Sequence, residues 1–240
     1  DYSQAEIRVL AASSQEDNLL KAYAEGIDVH MMTAKGIFGD NPSESQRRFS
    51  KMGTFRILYG GSAKGFADQN LSGNVELANR IYEGFYETYP KVKDWVAKKH
   101  REVRDTGVVT LMTGRYIRIP RQDYEKKMLN QAQNFPIQGA SSDMTADVMF
   151  MMYKYLRDNS LKSKPFCFVH DSLELDIHPN EIFSFIPVAT KIMNEYPRDE
   201  YGVPMKAEMV FGKSMGEEIE VIEIDPETRS ITCEGYQDEI

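Results

Sequence analysis

Three clusters of residues have the types and spacing for metal and phosphate chemistry. The first is DYSQAEIRVLA, residues 1–11, which sets Asp1 at the end of a strand-like segment with Glu6 and Arg8 just behind it. The second is RRFSKMGTFRILYGGS, residues 47–62, where Arg47, Lys51, Phe55 and Tyr59 recur every four residues. On an α-helix each four-residue step drifts by about 40°, so these four stay on one side. A guanidinium grips phosphate oxygens in a fork, and an ammonium acts as a point charge. The third is the polar tip His170-Asp171 between two β-rich arms. Paired carboxylates of this kind serve metal-assisted phosphoryl chemistry. Taken singly, each cluster also suits a plainer role: an aspartate as a cap, a basic helix face turned to solvent, a polar turn.

Mixed elements must position these groups. A strand-like start runs into an apolar helix within residues 1–12. Residues 44–59 read as a helix capped by Ser43 or Ser45 and ended by Gly60-Gly61. Further helices are expected at 74–88, with Leu77, Ile81, Phe85 and Tyr86 on one side, and at 92–104. Residues 108–119 read as a hairpin turning at Thr113-Gly114. A long amphipathic helix follows at 139–156, its methionines serving as core filler. FCFVHDSLELDI, residues 166–177, is the clearest hairpin. A last helix at about 181–195 precedes two short strands around Asp225-Pro226. Strands at both ends with helices between indicate an α+β chain.

The 240 residues are enough for one or two domains, and their 41% hydrophobic and 28% charged content is that of a soluble globular protein. No run reaches the roughly 18 apolar residues of a membrane helix. Two cysteines, Cys167 and Cys233, make no disulfide framework and read as reduced thiols. The net charge of -8 is unevenly spread: residues 1–43 carry 3 basic and 7 acidic groups, residues 44–127 carry 17 and 10, and residues 128–240 carry 9 and 20. A basic middle between acidic ends suits a phosphate-binding segment beside cation-holding carboxylates, and equally a solvated basic helix face.

Taken together and in this order, the clusters are specific. The chain resembles the family A DNA polymerases, of the bacterial DNA polymerase I type, from their first palm motif onward. DVHMMTA at 28–34, YGGSAKGFA at 59–67, YETYPKV at 86–92, TLMTGRYIRIP at 110–120 and QNFPIQGASSD at 133–143 carry the likeness between the three clusters. It covers about residues 1–216 and leaves the tail unplaced. The resemblance implies a right-hand polymerase palm, an antiparallel sheet with helices, formed by residues 1–12 and 131–240. Mostly helical fingers would occupy residues 13–130.

The resemblance also implies roles. Asp1, Asp171 and the backbone carbonyl of Tyr2 would hold two Mg²⁺ ions, with Mn²⁺ as a substitute, as hard oxygen ligands. Lys51 would be catalytic, protonating the leaving pyrophosphate. The incoming dNTP would meet Tyr2, Gln4, Glu6, His30, Arg47, Lys51, Phe55 and Tyr59, with Glu6 excluding a 2′-hydroxyl. A structural histidine at His30 and a simple Glu6–Arg8 pair are the plainer alternatives. Primer-template DNA would meet Arg115, Asn134, Gln138 and His170, whose donors suit the uniform acceptors of the minor groove.

The chain departs from the family pattern at several places. Ser172 stands where most bacterial members have Glu, which removes one carboxylate and points to phage-encoded replication in a host cytoplasm. Thr54 and Arg56 replace Asn and Gly, and Asn130 replaces Arg. With Asp1 as the first residue, the thumb, the rest of the palm and any exonuclease domain are expected from an upstream polypeptide. Three rival readings remain: a catalytically inactive DNA- or partner-binding fragment, a metal-dependent phosphohydrolase, and a single-subunit RNA polymerase. The phosphohydrolase leaves the second cluster without a purpose, and Glu6 with YGGS argues against RNA synthesis.

Overall fold

The computed structural model describes residues 1–120, 125–212, 218–225, 227 and 230–233. These fall into two compact units, residues 6–140 and residues 1–5 with 141–240. Two helices cross the boundaries: α1 (Ala5–Ser14) and α8 (Glu125–Asp158).

The first unit is helical. α2 (Asp17–Ala24), α3 (Val29–Phe38), α4 (Glu44–Leu58), α5 (Ala63–Asn70), α6 (Val75–Thr88) and α7 (Pro90–Thr106) precede the hairpin β1 (Val108–Thr110) and β2 (Tyr116–Arg118). Ser43 begins α4 with a capping box, accepting from the Gln46 amide while the Gln46 side chain accepts from Ser43 N–H. Asn74 caps α6 through the Leu77 amide. Ile37, Phe66, Ala67, Leu71, Ala78 and Ile81 form a core among α3, α5 and α6. Glycines bring the helices close. A Cβ at Gly53 of α4 would lie 2.5 Å from Ile81 Cγ2 of α6, and one at Gly36 of α3 would lie 2.2 Å from Thr88 Oγ1.

The second unit contains the latter half of α8, whose Met144, Val148, Met152 and Leu156 are buried. The hairpin β3 (Lys164–Val169) and β4 (Ser172–Asp176) is antiparallel, with Val169 opposite Ser172, so its loop is His170-Asp171. A 3-10 turn at Pro179–Glu181 leads into α9 (Ile182–Tyr201), and Phe185 of α9 stacks on Tyr155 of α8. β5 (Met209–Gly212), β6 (Glu218–Asp225) and β7 (Ser230–Cys233) form an antiparallel sheet in that order.

The α+β class holds, but several elements differ from their sequence-based limits. α8 starts at Glu125 instead of 139, running through Pro136 and Gly139. Proline removes one rung of hydrogen bonding, and burial of Ala132, Ile137 and Ala140 along the helix holds it together. α9 likewise passes Pro187 and Pro197 and ends at Tyr201, where Gly202 takes a left-handed cap. The strand-like start reduces to one antiparallel bridge, Tyr2 with Ala207. α2, α3, α5 and β5 had no counterpart in the sequence reading. Pro226, at the expected turn of the tail, and residues 234 and 235 lie outside the described residues. Among the described residues, no helix is long and apolar enough to cross a membrane.

Candidate functional site

In the second unit the bridge residues fasten the chain start. Asp1 donates its amino group to Glu208 O at 2.9 Å, Glu208 N–H donates to Asp1 O at 2.8 Å, and Ser3 N–H donates to Lys206 O at 2.9 Å. These bonds flank the Tyr2–Ala207 pair, so the backbone N–H and C=O of Tyr2 point to the opposite edge. The Tyr2 side chain is buried, and its hydroxyl donates to Met193 O at 2.9 Å. Asp171 lies in this neighbourhood. Burial lowers the pKa of the Asp1 amino group, while the charges of Glu174, Asp171 and Glu208 work to raise it.

Backbone strain surrounds both aspartates. Gln4 (φ 55°) and His170 (φ 59°) sit in the left-handed region, where a residue with a Cβ pays roughly 1–2 kcal/mol. His170 is exposed at the hairpin tip, and its φ turns the two-residue loop that presents Asp171. Ser172, next along, donates its hydroxyl to Glu174 at 2.7 Å. A carboxylate thus stands at 174, two residues beyond Asp171's neighbour Ser172, a feature visible in the alternation SLELD once that strand is placed. Among the described residues no group of three or more His, Cys, Asp or Glu could hold a metal ion. The oxygen donors in this neighbourhood are the carboxylates of Asp1, Asp171, Glu174 and Glu208 and the backbone carbonyl of Tyr2. All are hard oxygens, few enough to leave positions for phosphate and water, as Mg²⁺ requires.

In the helical unit, α4 buries Ser50, Gly53, Thr54, Ile57 and Leu58. Arg47 and Phe55 are half-buried and Lys51 is exposed along the flank of that buried face, with Tyr59 just past the helix end. His30, in the first turn of α3, is 3% exposed, and its ring meets Phe55 at 6.1 Å between centroids. Neither ring nitrogen has a hydrogen-bond partner. Burial pushes the His30 pKa down to about 4, helped by the charges of Lys51 and Arg47 and opposed by Asp28. Asp28, absent from the sequence-based list, caps α3 and accepts from Arg47 Nη2 at 2.7 Å. Its position just before an apolar helical run was the available signal.

A second group forms around Glu6. One carboxylate oxygen accepts from Tyr59 Oη at 2.8 Å and the other from Gln138 Nε2 at 3.3 Å. The Arg8 guanidinium lies 4.1 Å over the Tyr23 ring. Asn134, one turn before Gln138 on α8, is half-buried. Arg115 donates to Gly139 O at 3.2 Å, a contact that relies on the missing side chain, since a Cβ at Gly139 would lie 2.7 Å from Leu111. The structure therefore gathers His30, Arg47, Lys51 and Phe55 in one group, and Glu6, Tyr59 and Gln138 with neighbouring Arg115 and Asn134 in another. Asp1, Tyr2, Gln4, His170 and Asp171 belong to the other unit.

The sequence model of DNA polymerase family A matches residues 1–217. DNA polymerase I of Lactococcus lactis subsp. cremoris is 34% identical over 225 residues, covering 89% of this chain and 25% of that protein. The thermostable DNA polymerase I of Thermus thermophilus is 32% identical over 222 residues, covering 89% of this chain and 26% of its own length. The DNA polymerase of Bacillus phage SP01 is 29% identical over 249 residues, covering 96% and 27%. The solved POL domain of Pol1 from M. smegmatis, in complex with DNA primer-template and dNTP, superposes with a TM-score of 0.75 at 27% identity. It covers 81% of this chain and 36% of that one. The chain spans about a quarter of the length of these curated relatives. With nearly its whole length matched by the family model and a relative 34% identical across most of it, the chain belongs to DNA polymerase family A.

Proposed function

We propose that this chain provides palm and fingers functions of a DNA-templated DNA polymerase, which transfers deoxynucleotides from dNTP to a primer 3′-hydroxyl. The observation that carries the reading is the meeting of Asp171, on a strained hairpin tip, with the bridged segment that bears Asp1 and the turned-out carbonyl of Tyr2. Asp1, Asp171 and Tyr2 O would hold two Mg²⁺ ions, or Mn²⁺ in their place. Such ions make the 3′-hydroxyl a better nucleophile and neutralise the pyrophosphate that leaves as it attacks the α-phosphorus.

The remaining work falls to the chain's own side chains. Arg47 and Lys51 bind triphosphate oxygens, and Lys51 gives a proton to the departing pyrophosphate. The buried, unpartnered ring of His30 gains a hydrogen-bond acceptor when phosphate arrives. Phe55 packs against the incoming sugar and base, and Tyr2 and Gln4 are nucleotide contacts supplied by the other unit. Glu6, held by Tyr59 and Gln138, fills the space of a 2′-hydroxyl. Arg115, Asn134, Gln138 and His170 contact the primer-template duplex. The palm comprises residues 1–12 and 131–240 and the fingers residues 13–130. The chain divides into compact units at 5/6 and 140/141, and Met128 and Ala132 in the first half of α8 pack with Val103, Val109 and Ile119. The enzyme acts in the cytoplasm.

Primer extension by the full enzyme carrying this chain, on a short template with Mg²⁺ and dNTPs, tests the reading. Extension that disappears with Asp171→Ala supports it. Absence of extension by the wild type with DNA binding intact would make the chain a binding module.

A further inference from the structure

Asp28 divides its carboxylate between two tasks. Oδ1 accepts from the amides of His30 at 2.9 Å and Met31 at 3.1 Å, which caps α3. Oδ2 accepts from Arg47 Nε at 3.0 Å and Nη2 at 2.7 Å. Both bonds fall on one edge of the guanidinium. Among the described residues, Arg47 Nη1 has only Glu44, an 80% exposed side chain at 3.4 Å. The Nη1–Nη2 edge is the one Asp28 leaves over, and Arg47 stands one turn from Lys51 on the same helix face. Desolvation works to raise the Asp28 carboxyl, but the Arg47 bonds and the two amides outweigh it and keep it below its usual range.

An unanchored arginine on a half-exposed helix face samples many rotamers, and freezing it onto an anion costs entropy. Two bonds to one edge remove much of that freedom before any ligand arrives. We infer that Asp28 is a positioning residue for the nucleotide triphosphate: it holds Arg47 by its Nε–Nη2 edge and aims the other edge at the phosphate oxygens. This inference rests on the polymerase reading and adds to it a determinant of nucleotide affinity located on α3. Asp28 acts through Arg47 and does not itself meet the triphosphate. A carboxylate that merely competed with phosphate for Arg47 would have the opposite effect on affinity, so the direction of the change discriminates the two.

Asp28→Asn separates the tasks, because asparagine caps a helix as well as aspartate does but cannot pair ionically with Arg47. In primer extension by the full enzyme with dNTP varied, KM for dNTP is expected to rise roughly two- to fivefold, the range of a partly exposed ion pair, with kcat within about twofold. The melting temperature falls by no more than about 4 °C, since one partly exposed ion pair contributes at most about 1 kcal/mol. In an Arg47→Ala background Asp28→Asn has no further effect on KM, since the group it positions is gone. An unchanged or lowered KM overturns the inference, as does an equal rise in the Arg47→Ala background. Failure of the wild type to extend a primer would remove the polymerase reading and this inference with it. A wild type that extends normally with an Asp28→Asn KM equal to its own removes the inference alone.

Discussion

The buried histidine beside α4 makes a quantitative prediction. His30 is 3% exposed and neither ring nitrogen has a partner. Its pKa falls from the ordinary 6.5 to about 4 through burial and the nearby Lys51 and Arg47 charges, against the opposing pull of Asp28. The depressed value means the folded state resists the proton that the unfolded chain takes up. The resulting stability is fully present above about pH 6.5 and is lost as pH falls through 6.5 towards 4. At about 1.4 kcal/mol per pH unit, that gap is worth about 3 kcal/mol. Urea unfolding of the wild type and of His30→Leu at pH 7 and pH 4 reads it directly. The wild type should lose about 3 kcal/mol more than the variant over that interval, which cancels the carboxylates common to both. The ring protons, followed by NMR, should titrate near pH 4. Inorganic tripolyphosphate should move that titration upward, because an anion at the ring favours the charged form. A midpoint at 6.5, or parallel losses in wild type and variant, would refute the reasoning.

Two further tests probe the scaffold. Gly36→Ala puts a Cβ 2.2 Å from Thr88 Oγ1 and 3.1 Å from its Cγ2, which overpacking data price at about 1–3 kcal/mol and at about 2–4 °C per kcal/mol in a chain of this size. In a Thr88→Ala background, where both of those atoms are absent, the penalty should largely vanish; equal penalties in the two backgrounds would show that this contact is not its source. Glu181 accepts from Ser163 Oγ at 2.6 Å and from the amides of Lys162 and Ser163, each at 2.8 Å. Desolvation works to raise its carboxyl, but these bonds and His178 outweigh that and hold it down to about 2. The stability it contributes is present above about pH 4.5 and lost as pH falls towards 2. Melting curves of Glu181→Gln should therefore be flatter than wild type across that window, and parallel curves would discount these bonds.

The parts of this molecule legible in its sequence are those whose causes are local. α4 announces itself by Ser43 and Gln46 three residues apart and by Gly60-Gly61 beyond its end, and the four-residue spacing alone puts Arg47, Lys51 and Phe55 on one face. The hairpin bearing Asp171 follows from β-rich arms around a polar tip. The family, too, was readable, because its motifs are short and ordered along the chain. What the sequence misplaced were limits set by packing. Pro136 and Pro197 are local helix breakers, but α8 and α9 continue through them because burial along their apolar faces outweighs one missing backbone bond. The partners of individual side chains lay wholly beyond it. Nothing local pairs Glu6 with Tyr59 and Gln138, or Arg47 with Asp28. Arg47 reaches Asp28 because α3 and α4 pack together, and glycines let both approach α6 closely. Periodicity records which way a side chain faces; what it meets there depends on how separate elements pack, which only the tertiary structure decides.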